Sequence, residues 1–185
     1  MRPVANAKHP RRRRFVIMAA MSESPSFKPL KDIGILPINE TSEIRFYVDA
    51  YKGYTYGSIR TFLKREKYSG PTKAGITLNA KALEPLITAL ENLPQTPPDQ
   101  PDVEIARIPK KPGLDIVARV TVYKDSSGVD IREWIDDGVY QGWSKKGVRV
   151  PYAELGKTIA YLRELRAALA GMAQAPDKPP GAPTA

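Results

Sequence analysis

Apolar and polar residues begin to alternate regularly at Ile44. Ile44, Phe46 and Val48 fall on one side and Arg45, Tyr47 and Asp49 on the other, the period of a strand with one buried face. After a turn at Gly53, residues 54–64 are rich in β-branched and aromatic side chains and predict a second strand. Short segments around Tyr68 and over 76–78 complete an antiparallel meander of four strands. The period then lengthens. Leu83, Leu86, Ile87, Leu90 and Leu93 share one helical face, with Asn79 placed as the N-cap. Pro85 conflicts with a regular helix from that cap, so a kink, or a start near Glu84, is expected. The same succession returns as strands over 116–124, 129–136, 139–143 and 148–150. A helix favoured to start at Pro151 follows, with Leu155, Ile159, Leu162, Leu165 and Leu169 as its apolar stripe.

The chain is internally duplicated. Residues 44–93 lie over 116–165 at a constant offset of 72 without a gap, and fourteen of the fifty positions are identical. Unrelated sequences of this composition would share about three. Tyr51-Lys52 returns as Tyr123-Lys124, Ile59-Arg60 as Ile131-Arg132, and Tyr68, Gly70, Lys73 and Gly75 as Tyr140, Gly142, Lys145 and Gly147. A unit of about 50 residues rarely buries enough surface to stand alone. The expected fold is therefore α+β: two tandem ββββα repeats forming an intramolecular pseudo-two-fold dimer, with antiparallel sheets and paired helices. The expected boundaries are a disordered basic tail over 1–40, the first repeat over 41–93, a Pro-rich linker over 94–113, the second repeat over 114–170 and a disordered tail over 171–185. Val103 to Ile108 could add a short edge strand to the linker.

Composition narrows the function. There is no cysteine and one histidine, His9, which removes thiolate chemistry, Cys-based zinc sites and the usual general base. No apolar run approaches the ~20 residues that span a bilayer. The net charge is +9, but Arg2, Lys8 and the four arginines at 11–14 lie in an acid-free stretch of 20 residues. Without that stretch 23 basic residues face 20 acidic ones, so the distribution of charge must carry the argument. The stretch itself reads as a signal peptide at the short limit, a transit peptide, a basic arm, or residues ahead of a true start at Met18 or Met21.

The second strand of the first copy has the most informative chemistry. One face carries Tyr54, Tyr56, Ser58, Arg60, Phe62 and Lys64; the other, Thr55, Gly57, Ile59, Thr61 and Leu63, is suited to packing under the helix. Rings for base stacking interleaved with cations for phosphates are what single-stranded nucleic acid requires. The alternative is that the rings are ordinary strand formers in cross-strand pairs, or are covered by the other copy. The second copy is poorer there but keeps Arg132, Trp134, Trp143, Lys145 and Lys146. The segment over 70–75 lacks P-loop spacing, and Asp136-Asp137 before Gly138 reads as solvated turn acids. No catalytic constellation, metal site or cofactor is expected.

Both copies resemble the C-terminal domain of the transcriptional positive coactivator (positive cofactor four) family. The resemblance is carried by Tyr51-Lys52-Gly53, Ile59-Arg60 and the run from Gly70 to Asn79, and in the second copy by 131–136 and by Lys145-Lys146-Gly147-Val148. It implies ββββα units that dimerise through their helices and bind single-stranded or melted DNA across the strands. It further implies that Tyr51 and Tyr123 contact DNA, each followed by a cation, Lys52 or Lys124. Arg60 and Arg132 match a strand arginine at the DNA surface. Trp134 and Phe62 match a stacking aromatic if one residue is deleted here. Lys146 matches a contacting lysine that Ala74 replaces in the first copy. Lys73 completes the candidate set as the counterpart of Lys145. Two copies in one chain depart from the single copy of familiar members, and paired ββββα repeats also occur in purine-rich-element-binding proteins. The expected function is single-stranded DNA binding with little sequence preference, in transcription regulation or the handling of unwound DNA. RNA on the same surface and a protein-interaction scaffold are the alternatives. The expected partners are single-stranded DNA, then RNA or the transcription machinery, with no membrane. The chain is expected to be a monomer, cytoplasmic and nucleoid-associated in a bacterium or nuclear in a eukaryote.

Overall fold

A computed structural model describes residues 27–100 and 102–172. The first four strands are β1 (Lys31–Asn39), β2 (Ser42–Tyr51), β3 (Tyr54–Arg65) and β4 (Tyr68–Leu78), followed by helix α1 (Ala80–Glu91). The second unit has β5 (Val103–Lys111), β6 (Leu114–Tyr123), β7 (Ser126–Asp136) and β8 (Gln141–Pro151), then a 3-10 turn (Tyr152–Glu154) and helix α2 (Leu155–Gly171). Each unit is an antiparallel sheet in chain order, β1-β2-β3-β4 and β5-β6-β7-β8. The α+β fold of two ββββα repeats is therefore present.

Its strands are distributed differently from expectation. β1 occupies residues assigned to the basic tail, and β5 occupies residues assigned to the linker, so both repeats start earlier than 41 and 114. Both are edge strands in which only Leu36 and Ile108 are buried, too little alternation to declare a strand. Pro37 and Pro109 fit there because an edge strand has no partner on its outer side. Conversely, the two short strands expected around Tyr68 and at 76–78 are one continuous β4, and those expected at 139–143 and 148–150 are one β8 that starts only at Gln141. A register break between the partners of Arg60 and Phe62, repeated at Arg132 and Trp134, interrupts the apolar pattern inside each strand. Residues 1–26 and 173–185, and with them most of both expected tails, lie outside the described residues.

Helix α1 begins at Ala80, not near Glu84, because the Asn79 side chain accepts the Ala82 N–H at 2.9 Å and caps the first turn. Pro85 sits on its exposed side while Leu83, Leu86, Ile87 and Leu90 are buried. Helix α2 starts four residues after the expected Pro151, which instead ends β8. Its stripe is also rotated. Thr158, Leu162, Leu165 and Leu169 are buried, whereas Ile159, expected at mid-stripe, is half-buried against the core. Thr158 fits a buried position because its hydroxyl donates to the Glu154 carbonyl at 2.8 Å.

The helices do pair, and the pairing joins the units. Arg163 and Glu91 meet at 2.7 Å across α1 and α2, and Arg166 meets Glu84. Contacts are reciprocal: α1 packs on β5, α2 on β1, and β4 lies against β8, the arrangement of a pseudo-two-fold pair. Each helix thus reaches the other unit's sheet. The inner face of β3, expected under its own helix, instead receives Leu165 of α2. A Cβ on Gly57 would lie 2.6 Å from that side chain. Phe46 packs on Tyr161 of α2 with ring centroids 5.3 Å apart. Buried residues of both units form one hydrophobic cluster, from Leu36 to Leu169. A shared core is how two units this small become stable together.

Candidate nucleic-acid interface

The helices cover one face of each sheet, and the pairing register defines the other. Across β2 and β3 it opposes Tyr51 to Tyr54, Asp49 to Tyr56, Tyr47 to Ser58, Arg45 to Arg60 and Glu43 to Phe62. Directly opposed residues of an antiparallel pair point the same way. The aromatic-and-cation set therefore lies on the face turned away from the helices, joined there by Arg45, Tyr47 and Asp49 of β2. On the second sheet the same rule groups Arg119 and Thr121 of β6 with Asp130, Arg132 and Trp134 of β7 and with Trp143 and Arg149 of β8.

Three features recur in both units. The first is the β2–β3 hairpin, whose two-residue turn has φ of 52° at Lys52 and 80° at Gly53; its counterpart has 48° at Lys124 and 58° at Asp125. These turns present Tyr51 and Tyr123, 60% and 63% exposed, with Lys52 Nζ 5.4 Å and Lys124 Nζ 5.5 Å from the ring centroids. The second is an arginine laid across the neighbouring strand. Arg60 opposes Gly75 and Arg132 opposes Gly147, and a Cβ on either glycine would come within 2.8 Å of the arginine side chain. Glycine lets Arg60 reach the Thr72 carbonyl at 2.9 Å and Arg132 the Ser144 carbonyl at 3.3 Å. The third is the bulge itself. The Thr72 hydroxyl accepts the Ala74 N–H at 3.1 Å, and the Ser144 hydroxyl the Lys146 N–H at 2.9 Å, which leaves Lys73, Lys145 and Lys146 exposed.

The first face contains a cleft of about 590 Å³, lined by Phe27, Tyr47, Asp49, Arg60, Leu63, Tyr68, Pro71, Thr72 and Lys73. Arg60 donates to Tyr47 Oη and the Thr72 carbonyl, and among the described residues no carboxylate neutralises it. Two candidates are less available than expected. Phe62 is only 2% exposed, because Phe27 covers it edge-on at 5.1 Å, while Arg45 sits 4.4 Å from its centroid. Lys64 pairs with Glu43, a buried carboxylate that Arg45 also holds at 2.6 Å. Burial alone would raise the Glu43 pKa, but the bonds and charges of Lys64 and Arg45 outweigh it and hold the group below its usual value. Tyr54 and Tyr56 are half-buried, with ring centroids 6.4 Å apart.

The second face is more fully paired. Trp134 and Trp143 meet edge-on at 4.7 Å, with Arg119 4.0 Å from the Trp143 centroid and Arg107 5.8 Å from that of Trp134. Asp130, where the first unit has Ser58, accepts two bonds from Arg132 at 3.0 Å and one from Arg119 at 3.3 Å. Arg132 is therefore neutralised where Arg60 is not. Lys146 stands 3.9 Å from the buried Glu133, whose closer partner is Lys110 at 2.8 Å.

The structure brings most of the predicted residues onto two outward faces, with Tyr51, Lys52, Tyr123, Lys124, Lys73, Lys145 and Lys146 at their rims. Sequence reasoning missed Phe27, Arg45, Tyr47, Asp49, Tyr68, Arg107 and Arg119. The alternation of β2 already held Arg45, Tyr47 and Asp49 on the right side; only the strand pairing adds them to the site. Nothing local marks Phe27. Of the two acids expected in the turn, Asp136 instead ends β7, while Asp137 lies in the turn: its Oδ1 accepts the N–H groups of Tyr140 and Val139, which lower its pKa. Among the described residues no His, Cys, Asp and Glu cluster could hold a metal ion, and no helix is long and apolar enough to cross a membrane.

Residues 38–89, from the end of β1 into α1, match the family model described as Transcriptional Coactivator p15 (PC4). The first repeat belongs to this coactivator family. Its partner repeat is tied to it by the offset of 72 and the same order of elements. The match supports a nucleic-acid-binding, transcription-related role. Among solved structures, the crystal structure of WHY3 from Arabidopsis thaliana is similar with a TM-score of 0.39 and 12% identity, covering 80% of this chain and 92% of that one. No match is found among curated proteins.

Proposed function

We propose that the chain binds single-stranded DNA with little sequence preference, across the two outward faces, in transcription regulation or the handling of unwound DNA. The observation that carries the reading is the repeated pairing of a ring with a cation on the face the helices leave bare: the exposed Tyr51 with Lys52, the exposed Tyr123 with Lys124, and the half-buried tryptophan pair beside Arg119. A base stacked on such a ring contributes about 1–3 kcal/mol and needs no defined edge, so binding tolerates sequence. The cations neutralise phosphates without reading bases. Duplex DNA hides its base faces, which favours single strands. The chemistry is binding without a catalytic step. A nucleoid or nuclear location follows if DNA is the ligand.

Trp134 and Trp143 are the two tryptophans of the chain, and both lie on the second face. Intrinsic fluorescence therefore reports on that face directly. A DNA single strand of ~20 nucleotides is expected to quench it saturably, and the corresponding duplex to quench it far less. An RNA strand of the same sequence decides between DNA and RNA as the preferred ligand. Fluorescence unchanged by every strand would contradict the proposal for this face.

A further inference from the structure

The cleft on the first face holds a group that phosphate binding does not need. Arg60 and Lys73 line it together with the rings of Phe27, Tyr47 and Tyr68, but so does Asp49. A carboxylate only accepts hydrogen bonds, and it repels phosphate. Asp49 is half-buried and forms no ion pair among the described residues; its Oδ1 accepts the Ala50 N–H at 2.8 Å, which leaves most of its acceptor capacity unused. The cleft's volume of about 590 Å³ lies within the roughly 300–1,000 Å³ of pockets that take small organic ligands. It thus combines a cationic part, the exposed ring of Tyr68 with the half-buried ring of Phe27 (Tyr47 itself is buried), and a carboxylate acceptor. A nucleotide has the complementary parts in one molecule: an anionic phosphate, a flat base and, on some bases, an edge of donors.

We propose that this cleft takes one nucleotide of the bound strand and selects guanine, with Asp49 accepting hydrogen bonds from the base edge and Arg60 and Lys73 facing the adjoining phosphates. The inference rests on single-strand binding as proposed above and adds a preference at one position. Guanine presents two adjacent donors, N1–H and N2–H, which match the two oxygens of a carboxylate as a bidentate pair. Adenine and cytosine present one amino donor beside an acceptor nitrogen. Thymine presents N3–H between two carbonyls, which repel the carboxylate. The second unit lacks this device. Thr121 stands in the place of Asp49 and accepts the Arg149 Nε–H at 3.0 Å, and Arg149 occupies the space over Gly128. Trp143 and Arg119 replace the cleft residues Pro71 and Tyr47. Selection therefore occurs once per chain.

The test is competition binding of the full chain with three strands of about 20 nucleotides: all thymidine, the same with one central guanine, and the same with that guanine replaced by hypoxanthine, which lacks the N2 amino group. One guanine should tighten binding about tenfold, the size of one bidentate base contact, and hypoxanthine should lose most of that gain. Asp49→Ala should bring the guanine and thymidine strands within about twofold of each other. Equal affinity of the wild-type chain for the two strands, with both bound, overturns the guanine site and leaves single-strand binding standing. A preference that survives Asp49→Ala overturns the role of Asp49. Binding of no strand overturns this inference and the function beneath it.

Discussion

Gly75 shows how one residue decides what a site can do. It has no special backbone angle; its importance is the space that lets Arg60 cross β4 and reach the Thr72 carbonyl. Gly75→Ala puts a methyl group against the Arg60 side chain and the Ile59 carbonyl, at 2.8 and 2.9 Å. The expected result is several-fold weaker binding of single-stranded DNA, approaching Arg60→Ala, and titration of both variants checks it. If Gly75→Ala bound like the wild type, the laid-down arginine would not be part of the interface. Glu43 makes a second residue-scale prediction. Its folded pKa is lowered by Lys64 and Arg45 against the effect of burial, so its stabilising contribution is fully present above the usual glutamate range. That contribution is lost as pH falls through the lowered value. The urea midpoint should therefore drop in acid, and Glu43→Gln should flatten that part of the profile. An unchanged slope in the variant would show that other carboxylates govern acid sensitivity.

At the scale of elements, α2 is the member on which both units depend. Leu165 is fully buried and meets β3 of the first sheet at Gly57, whereas Ile159 is half-buried. Leu165→Ala should cost about 2–5 kcal/mol of stability and Ile159→Ala clearly less, as measured by chemical denaturation. The reverse order would mean that α2 is rotated from the orientation described. The period of the helix announced its existence but not this rotation, because Thr158 reads as polar until its bond to the Glu154 carbonyl is seen. Strands β2, β3, β6 and β7 were legible because each alternates clearly and recurs 72 residues on. Strands β1 and β5 were not, since an edge strand with one buried side chain carries almost no periodic signal. The duplication still marks them: Ile33 with Ile105 and Pro37 with Pro109 are identical at the same offset, and both strands slip register at matching places. The long β4 was read as two pieces because its bulge breaks the alternation at the point where it presents Lys73.

On the scale of the whole molecule, duplication within one chain has allowed two equivalent faces to diverge. The first keeps an arginine that no carboxylate among the described residues neutralises, beside an open cleft; the second balances Arg119 and Arg132 against Asp130 and closes over a tryptophan pair. The candidate residues themselves were largely legible, since rings and cations alternating on one strand point to the same face whatever the fold. Their availability was not. Whether Phe62 is open or covered depends on Phe27, 35 positions away in the sequence, and whether Lys64 is free depends on Glu43 across the sheet. The exposed faces are proposed to bind unpaired bases by stacking, with phosphate contacts secondary. The most direct measurement is fluorescence-anisotropy titration of the full chain with a labelled DNA strand of ~20 nucleotides, and with its duplex, at several salt concentrations. The expected result is tighter binding of the single strand at every salt, with affinity falling only modestly as salt rises. Equal binding of strand and duplex with a steep salt dependence would reduce the interface to a nonspecific collection of charge and contradict the account.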